Sequence, residues 1–437
     1  MPLYVEKLAA YVQQFGRFQR NARLYLMSNA LSGISVGIIA VLYNLYLVSL
    51  GYGTAFIGIL LFVGTIGGGI AIFPAGVCFD RFGGKAILIW SSVLIGIAGA
   101  GQMLFHQPVP LLVSVFLVGI AGAFILVTNA PFLTANSTPA ERTHLFSVNI
   151  VISLVTTVVG EIIGGALPVW FRGEAWLMTG LPSWVGWVLV PQAGPRGYQM
   201  ALVFAGLISL PSFVPLFLMS DDRRKRENES SQQNRSRPGF VVNFHSLSFR
   251  KIVFSALFGM AVVQGLIGMG AGLFIPYFNV YFVQHLGASS ALFGVIDGGA
   301  NTLNALLTLG APWLALRMGK VNTIVWTRLV SIPLMLVIGL TGSLWLAASL
   351  YPLRQGMMDM SLGILQVFSM EVVGEQHRGL ANSSYQAVYQ VMWALAAPVG
   401  GFVIGRLGYG PVFVVASVLY FLAVVTFWGR FGRVKEV

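Results

Sequence analysis

Charge is scarce along this chain of 437 residues, with Asp, Glu, Lys and Arg together making up 9% of it. Soluble domains carry about a quarter, so a globular protein with a polar skin is excluded. Cysteine is almost missing too: Cys78 stands alone, which rules out an internal disulfide. The five histidines are scattered, and with a single cysteine they supply no materials for a metal site or for Cys-His catalysis. Glycine-rich stretches such as GTIGGGIAIF from Gly64 lie inside apolar runs and lack the Gly-Lys-Ser/Thr that phosphate binding needs. No metal, no cofactor and no enzyme activity is expected.

What the chain has instead is apolar length. Hydrophobic residues make up 56% of it and the mean hydropathy is +0.80. Runs long enough to cross a bilayer, about 20 residues each, follow one another from about residue 24 to residue 429. Twelve spans are predicted: about 24–50, Thr54 to the turn at Gly76, 86–105, 110–133, 148–168, one ending near Met219, 252–283, one opening at Ser290, then 321–341, 344–370, 379–403 and 409–429. In hydrocarbon every backbone amide must find its partner inside the segment, so these runs should be helices. The 52 glycines suit close packing of such helices. Thr54 and Ser290 are predicted to cap the second and eighth spans.

The net charge of +12 is a topology signal rather than a nucleic-acid footprint. With the N-terminus inside, the inner segments hold Lys7, Arg17, Arg20, Arg23, Arg81, Lys85, Arg142, the cluster from Arg223 to Lys251, Arg317, Lys320, Arg378, Arg430, Arg433 and Lys435. The outer loops keep Arg172, Arg196 and Arg406, which sets both termini on the cytoplasmic side. Membrane lipids with anionic headgroups are the expected contact. No cleavable signal peptide is visible, and the first 22 residues read as an amphipathic helix on the inner surface. A polar stretch from Asp221 to Arg250 cannot bury enough apolar surface to fold alone. It divides an N-terminal bundle (1–220) from a C-terminal one (250–437) through a linker at 221–249. The one long outer loop, at 169–197 with Trp170, Trp176, Trp184 and Trp187, is expected to rest in the headgroup zone or to act as a lid.

The two bundles are related. Gly51, Gly58, Arg81, Gly83, Arg142, Gly164 and Gly165 recur as Gly287, Gly294, Arg317, Gly319, Arg378, Gly400 and Gly401, each displaced by 236 positions. Seven matches at one offset make duplication the reading, and paired halves are a common plan for secondary transporters.

Over nearly its whole length the chain resembles the major facilitator superfamily, whose pattern is twelve spans in two halves, a long basic central loop and inner termini. The most specific match is the loop between spans two and three, where Gly76, Asp80, Arg81, Gly83 and Lys85 fall in register with the family's glycine, Asp-Arg, Gly and basic residues. Gly84 stands where the family usually has a basic residue, and Arg317, Gly319 and Lys320 form a partial second copy without the Asp. The resemblance implies an all-α membrane protein of two pseudo-symmetric six-helix bundles, alternating access, and a latch role for Asp80 on the cytoplasmic face. In span five, Gly160-Glu161-Ile162-Ile163-Gly164-Gly165 is similar to the Gly-Pro-x-x-Gly-Gly of the family's antiporters, with Glu161 in place of the proline. The arginine that many proton-coupled exporters carry in span four is missing between Val115 and Phe124.

A charge at the membrane centre costs at least ~2.5–3.5 kcal/mol on insertion scales, so those that persist are functional candidates. They are Glu161, Asp297, Arg328, Arg354 and Asp359. Arg328 is expected to snorkel inward. Glu161 and Asp297 each lie about seven residues from the outer end of their span, roughly 10 Å deep, and in the family those spans meet. Two carboxylates brought together cannot both ionise comfortably, which would make a proton-carrying site. The alternative is separate hydrogen bonding, Asp297 having Asn301 and Asn304 on its own face. Arg354 and Asp359 are five apart, about 140° around a helix, so Arg354 should find its partner on another helix or on an anionic substrate, while Asp359 shares a face with Gln355. Span eleven adds Asn382, Gln386 and Gln390 in one stripe beside Tyr385 and Tyr389. Asn44 belongs to a polar set in span one that should line a cavity, and Gln264 precedes GLIGMGAGLFIP, a predicted break in span seven. The pathway candidates are therefore Arg354, Asp359, Asn44, Gln264, Asn301, Gln386 and Gln390.

The functional expectation is a secondary active transporter of the plasma (bacterial inner) membrane, coupled to protons and monomeric. It would move a small organic or amphiphilic solute, with export favoured over uptake. The rival from another class is a non-transporting assembly or lipid-interaction protein on the same scaffold.

Overall fold

A computed structural model describes residues 18–175, 188–220, 256–372 and 378–432. Among them the chain is helical, with no strand. The helices are α1 (Arg20–Ser49), α2 (Thr54–Phe82), α3 (Gly84–Leu104), α4 (Pro108–Ala135), α5 (Pro139–Gly173), α6 (Ala193–Leu218), α7 (Ala256–Phe274, continuing in irregular turns to His285), α8 (Ser290–Met318), α9 (Lys320–Leu340), α10 (Leu344–Asp359, resuming as Leu362–Glu371), α11 (Arg378–Leu407) and α12 (Tyr409–Phe431).

Ten of these twelve are long and apolar enough to cross a membrane. The two that fall short are α8, which carries Asp297, Asn301, Asn304 and Arg317, and α10, which carries Arg354, Gln355 and Asp359 and is interrupted after Asp359. Polar side chains mid-span, tolerated only where they face protein or a cavity, lower the hydropathy of these two helices.

Several expected boundaries move. The predicted loop NSTPAERTHLF is mostly helix, because α5 opens at Pro139, a residue whose fixed φ suits a first helical turn, with Glu141 beside the helix N-terminus. At its other end α5 runs to Gly173 and α6 opens at Ala193, so both ends of the predicted 169–197 loop are helical. Trp176, Trp184 and Trp187, the amphipathic N-terminal stretch and the 221–249 linker lie outside the described residues.

The break in α7 falls at the far end of the stretch where it was expected. Gly265, Gly268 and Gly272 sit in continuous helix and let α11 approach: a methyl on Gly268 would strike the Tyr389 carbonyl, and one on Gly272 the Trp393 carbonyl. The helix gives way instead at Pro276, which cannot donate to the ladder. The matching position in the first half is Ala40, and α1 runs through it unbroken.

Contacts divide the chain into two compact units, and the division cuts across α1, α2 and α5. One unit holds the chain to Ala40, Val63–Gly164 and Glu174–Gly239; the other holds Val41–Phe62, Gly165–Gly173 and everything from Phe240. In the first unit α1 and α5 pack backbone to backbone, Gly160 lying against Ile34 and Gly164 against Ile38. Phe18, Tyr25, Leu26, Leu88, Phe132, Leu145 and Leu216 form an apolar cluster there. In the second unit the core is aromatic, with Phe274, Phe278, Tyr281 and Phe282 packed on Phe413 and Tyr351.

The duplication is visible in local geometry. Gly83 and Gly319 each precede a helix with φ of 80° and 83°, and Gly51 and Gly287 turn with φ of 94° and 76°, a backbone region that side chains with a Cβ avoid. The polar residues predicted as caps do something else. Ser289, not Ser290, caps α8 by accepting from the Leu292 amide at 3.1 Å. Ser290 Oγ donates to the Gly165 carbonyl at 2.8 Å and Thr54 Oγ1 donates to the Gly401 carbonyl at 2.7 Å.

Candidate functional site

Within the second unit, α7, α10, α11 and α12 enclose a cavity of about 220 Å³. The break between Asp359 and Leu362 bends α10 around it, so that Arg354, Met358, Asp359, Leu365 and Ser369 all reach its wall. Gln264 comes from α7, Tyr385, Gln386 and Tyr389 from α11, and Tyr420 from α12. Four of the seven pathway candidates thus meet at one place: Arg354, Asp359, Gln264 and Gln386.

Arg354 is 3% exposed. Its guanidinium carbon lies 5.0 Å from the Phe274 ring centre and 5.8 Å from that of Tyr420, distances at which a ring's negative face attracts a cation by about 0.5–2 kcal/mol. Its Nη2 donates to Tyr420 Oη at 3.4 Å, and its Nε is buried with no partner. Rings rather than a carboxylate therefore hold it. Arg328, on α9, is also 3% exposed, with Nε and Nη2 lacking partners. The expectation that it snorkels to an interface is corrected: its neighbours are Asp359, Tyr389 and Tyr420, the groups whose charges act on it. Both arginines are within electrostatic reach of Asp359. Neither pairs with it directly, since the ion pair found among the described residues is Lys320 with Glu371 at 2.6 Å.

A second polar group joins α8 to α10. Tyr351 Oη donates to Asp297 Oδ1 at 2.7 Å, and one turn further Gln355 Nε2 donates to Asn301 Oδ1 at 2.8 Å. Asp297 is therefore held from the neighbouring helix rather than by Asn301 or Asn304 of its own, and Gln355 serves Asn301. Glu161 is buried on α5 in the first unit, where the backbones of α1 and α5 run close together: a methyl on Gly37 would lie 2.8 Å from the Glu161 amide nitrogen.

The remaining candidates are placed elsewhere. Asn44 Nδ2 donates to the carbonyl of Pro276 at 2.7 Å, where the α7 break frees it, and Asn279 Nδ2 donates to the Val41 carbonyl at 3.0 Å. Gln390 is exposed on α11, and Arg378 and Asn382 have side chains outside those described. In the short turn between α2 and α3, Gly76, Asp80 and Arg81 belong to the last turns of α2, Asp80 and Arg81 being exposed. Gly83 makes the turn, and Lys85 Nζ donates to the Met219 carbonyl at 2.6 Å. Arg317 lies over the Trp313 ring at 4.2 Å.

Reading residues alone missed Arg328, Phe274 and Tyr420 as members of the cavity group. A buried arginine near an expected span end reads as a snorkelling one, and nothing in the one-dimensional pattern marks which of many aromatics will face a cation.

A family model described as Major Facilitator Superfamily matches residues 25–396 and, again, 260–436. No curated protein matches the sequence. Among solved structures, the chain is similar to a bacterial homologue of the human lysosomal transporter Spinster in an inward-facing, unoccupied conformation, with a TM-score of 0.68 and 15% identity over 94% of this chain and 97% of that one. It is also similar to the nucleoside transporter NupG (TM-score 0.67, 14% identity, 95% and 100% covered) and to a D-xylose-proton symporter (0.66, 15%, 94% and 97%). At these identities the likeness is one of fold.

Proposed function

The chain belongs to the Major Facilitator Superfamily, and on that premise we propose a secondary active transporter that moves a small organic or amphiphilic solute by alternating access. The observation that carries the reading is the cavity of the second unit, lined by Arg354, Asp359, Gln264 and Gln386 together with Met260, Ile267 and Leu365. A space lined mainly by apolar groups with a few convergent polar ones is the usual form of a small-molecule site. Its apolar content favours export over uptake.

The coupling ion in this reading is the proton. Asp297, tied to Tyr351 across two helices, and Glu161, buried in α5, are the carriers, since intramembrane acids are costly unless they work. Both termini lie in the cytoplasm of a bacterial cell whose inner membrane the protein spans as a monomer. Asp80, Arg81, Lys85 and Arg317 then lie on the cytoplasmic face, where the two bundles part and close as they rock.

Reconstitution tests this. A compound that raises the melting temperature of the purified protein should exchange across proteoliposomes in counterflow and accumulate under an imposed pH gradient. A scaffold or lipid-interaction protein would show neither flux. Counterflow without gradient-driven accumulation would leave transport standing and remove the proton.

A further inference from the structure

Charge bookkeeping in the second-unit cavity points to one class of solute. Arg354 lines it and Arg328, outside the lining, is within electrostatic reach of Asp359, both arginines being 3% exposed. Two guanidinium groups face one carboxylate, leaving one positive charge unbalanced in a low-dielectric interior. Three of their nitrogens, Arg354 Nε and Arg328 Nε and Nη2, have no hydrogen-bond partner. A guanidinium has five N–H donors and cannot shed its charge, so such a pair persists where something else completes it. An uncompensated buried charge is strongly destabilising.

We infer that this cavity binds a small organic anion, whose carboxylate-like group completes Arg354 and whose apolar body rests among Met260, Ile267, Met358, Leu362 and Leu365. This rests on the transporter reading and names its substrate class. The lining supports each part. Gln264 and Gln386 add amide donors at the wall, and Asp359 is the acid there, already outnumbered. A cationic solute would meet Arg354 in a region that already carries excess positive charge, and a neutral one would leave that excess in place. The size, about 220 Å³, is below the ~300–1,000 Å³ of drug-sized pockets and fits a compact acid. The rings of Phe274 and Tyr420 hold the Arg354 guanidinium without neutralising it, so its charge stays available.

The experiment uses the purified full-length chain and three matched probe series: benzoate, phenylacetate and hexanoate; their primary amides; and benzylamine with hexylamine. Carboxylates should raise the thermal midpoint in a concentration-dependent way, while amides and amines should not. R354Q should weaken carboxylate binding about tenfold or more, the loss expected for a hydrogen bond to a charged group, R328Q should weaken it less because it acts through charge alone, and R354K should retain part of it. Because removing an unbalanced charge relieves the empty protein, R354Q should not lower the ligand-free midpoint. Q264E, which leaves both arginines in place and adds a negative charge at the wall, should abolish carboxylate binding and serves if R354Q fails to fold. The inference is overturned if amides shift the midpoint as much as carboxylates, if no carboxylate shifts it, or if R354Q or Q264E binds carboxylates like the wild type. Amides that bind and exchange in proteoliposomes would sink the anion and leave the transporter. Carboxylates that bind with no flux under any gradient would do the reverse.

Discussion

The hydroxyl of Thr54 donates to the carbonyl of Gly401 at 2.7 Å, and its counterpart 236 residues on, Ser290, repeats the bond to Gly165 at 2.8 Å. Each is a side chain at a helix N-terminus set on the backbone of a helix from the other half of the sequence. The glycine at each contact is there because the chains touch: a methyl on Gly401 would strike the Thr54 carbonyl, and one on Gly165 the Ser290 carbonyl.

Breaking the bond should matter less than filling the contact. T54V and S290A each remove one interhelical hydrogen bond, worth about 0.6 kcal/mol on average in membranes. G401A and G165A force backbones apart and should cost about 1–3 kcal/mol, as overpacking does. Thermal unfolding in detergent should rank the glycine variants well below the hydroxyl variants. Counterflow should be slowed in G401A, since this contact could no longer close. A G401A protein as stable as the wild type would count against the contact.

Asp297 and Tyr351 should separate exchange from accumulation. D297N keeps shape and a hydrogen-bonding group but cannot ionise. It is expected to retain counterflow within a few-fold and lose pH-gradient-driven accumulation by about tenfold or more, the scale of an altered proton-transfer group. Y351F, which removes the donor to Asp297, should displace the pH profile of uptake into vesicles while leaving its maximum in place. If D297N accumulates solute normally, the proton does not travel through this residue.

The α7 break depends on side chains that answer its freed backbone groups. Asn279 accepts from the Val280 amide at 2.9 Å and donates to the Val41 carbonyl of α1 at 3.0 Å, whereas Asn44 donates to the Pro276 carbonyl at 2.7 Å and to Asn279 Oδ1 at 3.4 Å. Leaving a buried backbone group unsatisfied costs about 1–3 kcal/mol. N279A should therefore destabilise more than N44A in thermal or chemical unfolding. Equal effects would mean that Asn279 contributes no more than Asn44 does.

Gln199, fully buried, ties together the α3–α4 and 188–192 turns by donating to the carbonyls of Met103 and Val188 at 2.9 and 2.7 Å and accepting from the Val190 amide at 2.8 Å. His106 Nε2 lies 3.4 Å from the same amide nitrogen. Burial pushes the His106 ring below its ordinary value of 6.5, so below that pH the unfolded chain takes up the proton more readily than the folded one. Stability should fall as pH drops through about 6.5 and level off once the folded ring is also protonated. H106Q should flatten that part of the profile, and Q199A should lower the midpoint at every pH.

Much of the fold could be read from residues because the bilayer leaves few choices: twelve apolar runs and a 236-residue repeat each follow from one-dimensional rules. The boundaries that moved did so where polar residues are helical, as at Pro139–Arg142, since hydropathy cannot see a helix that extends beyond the lipid. The site was half legible. Arg354 and Asp359 stood out because charge within a span is expensive. Arg328 misled because depth along a helix was judged from its predicted end, and the pairing of Asp297 with Tyr351 was hidden because it depends on which faces of α8 and α10 meet.

The turn between α8 and α9 closes differently from its twin. Lys320 holds Glu371 at the end of α10 through a half-exposed ion pair, whereas Lys85 holds a backbone carbonyl. Exposed pairs fade as salt rises. Ionic strength therefore loosens the fastening of one repeat and spares that of the other, and a duplicated scaffold acquires halves that answer unequally to the medium around them.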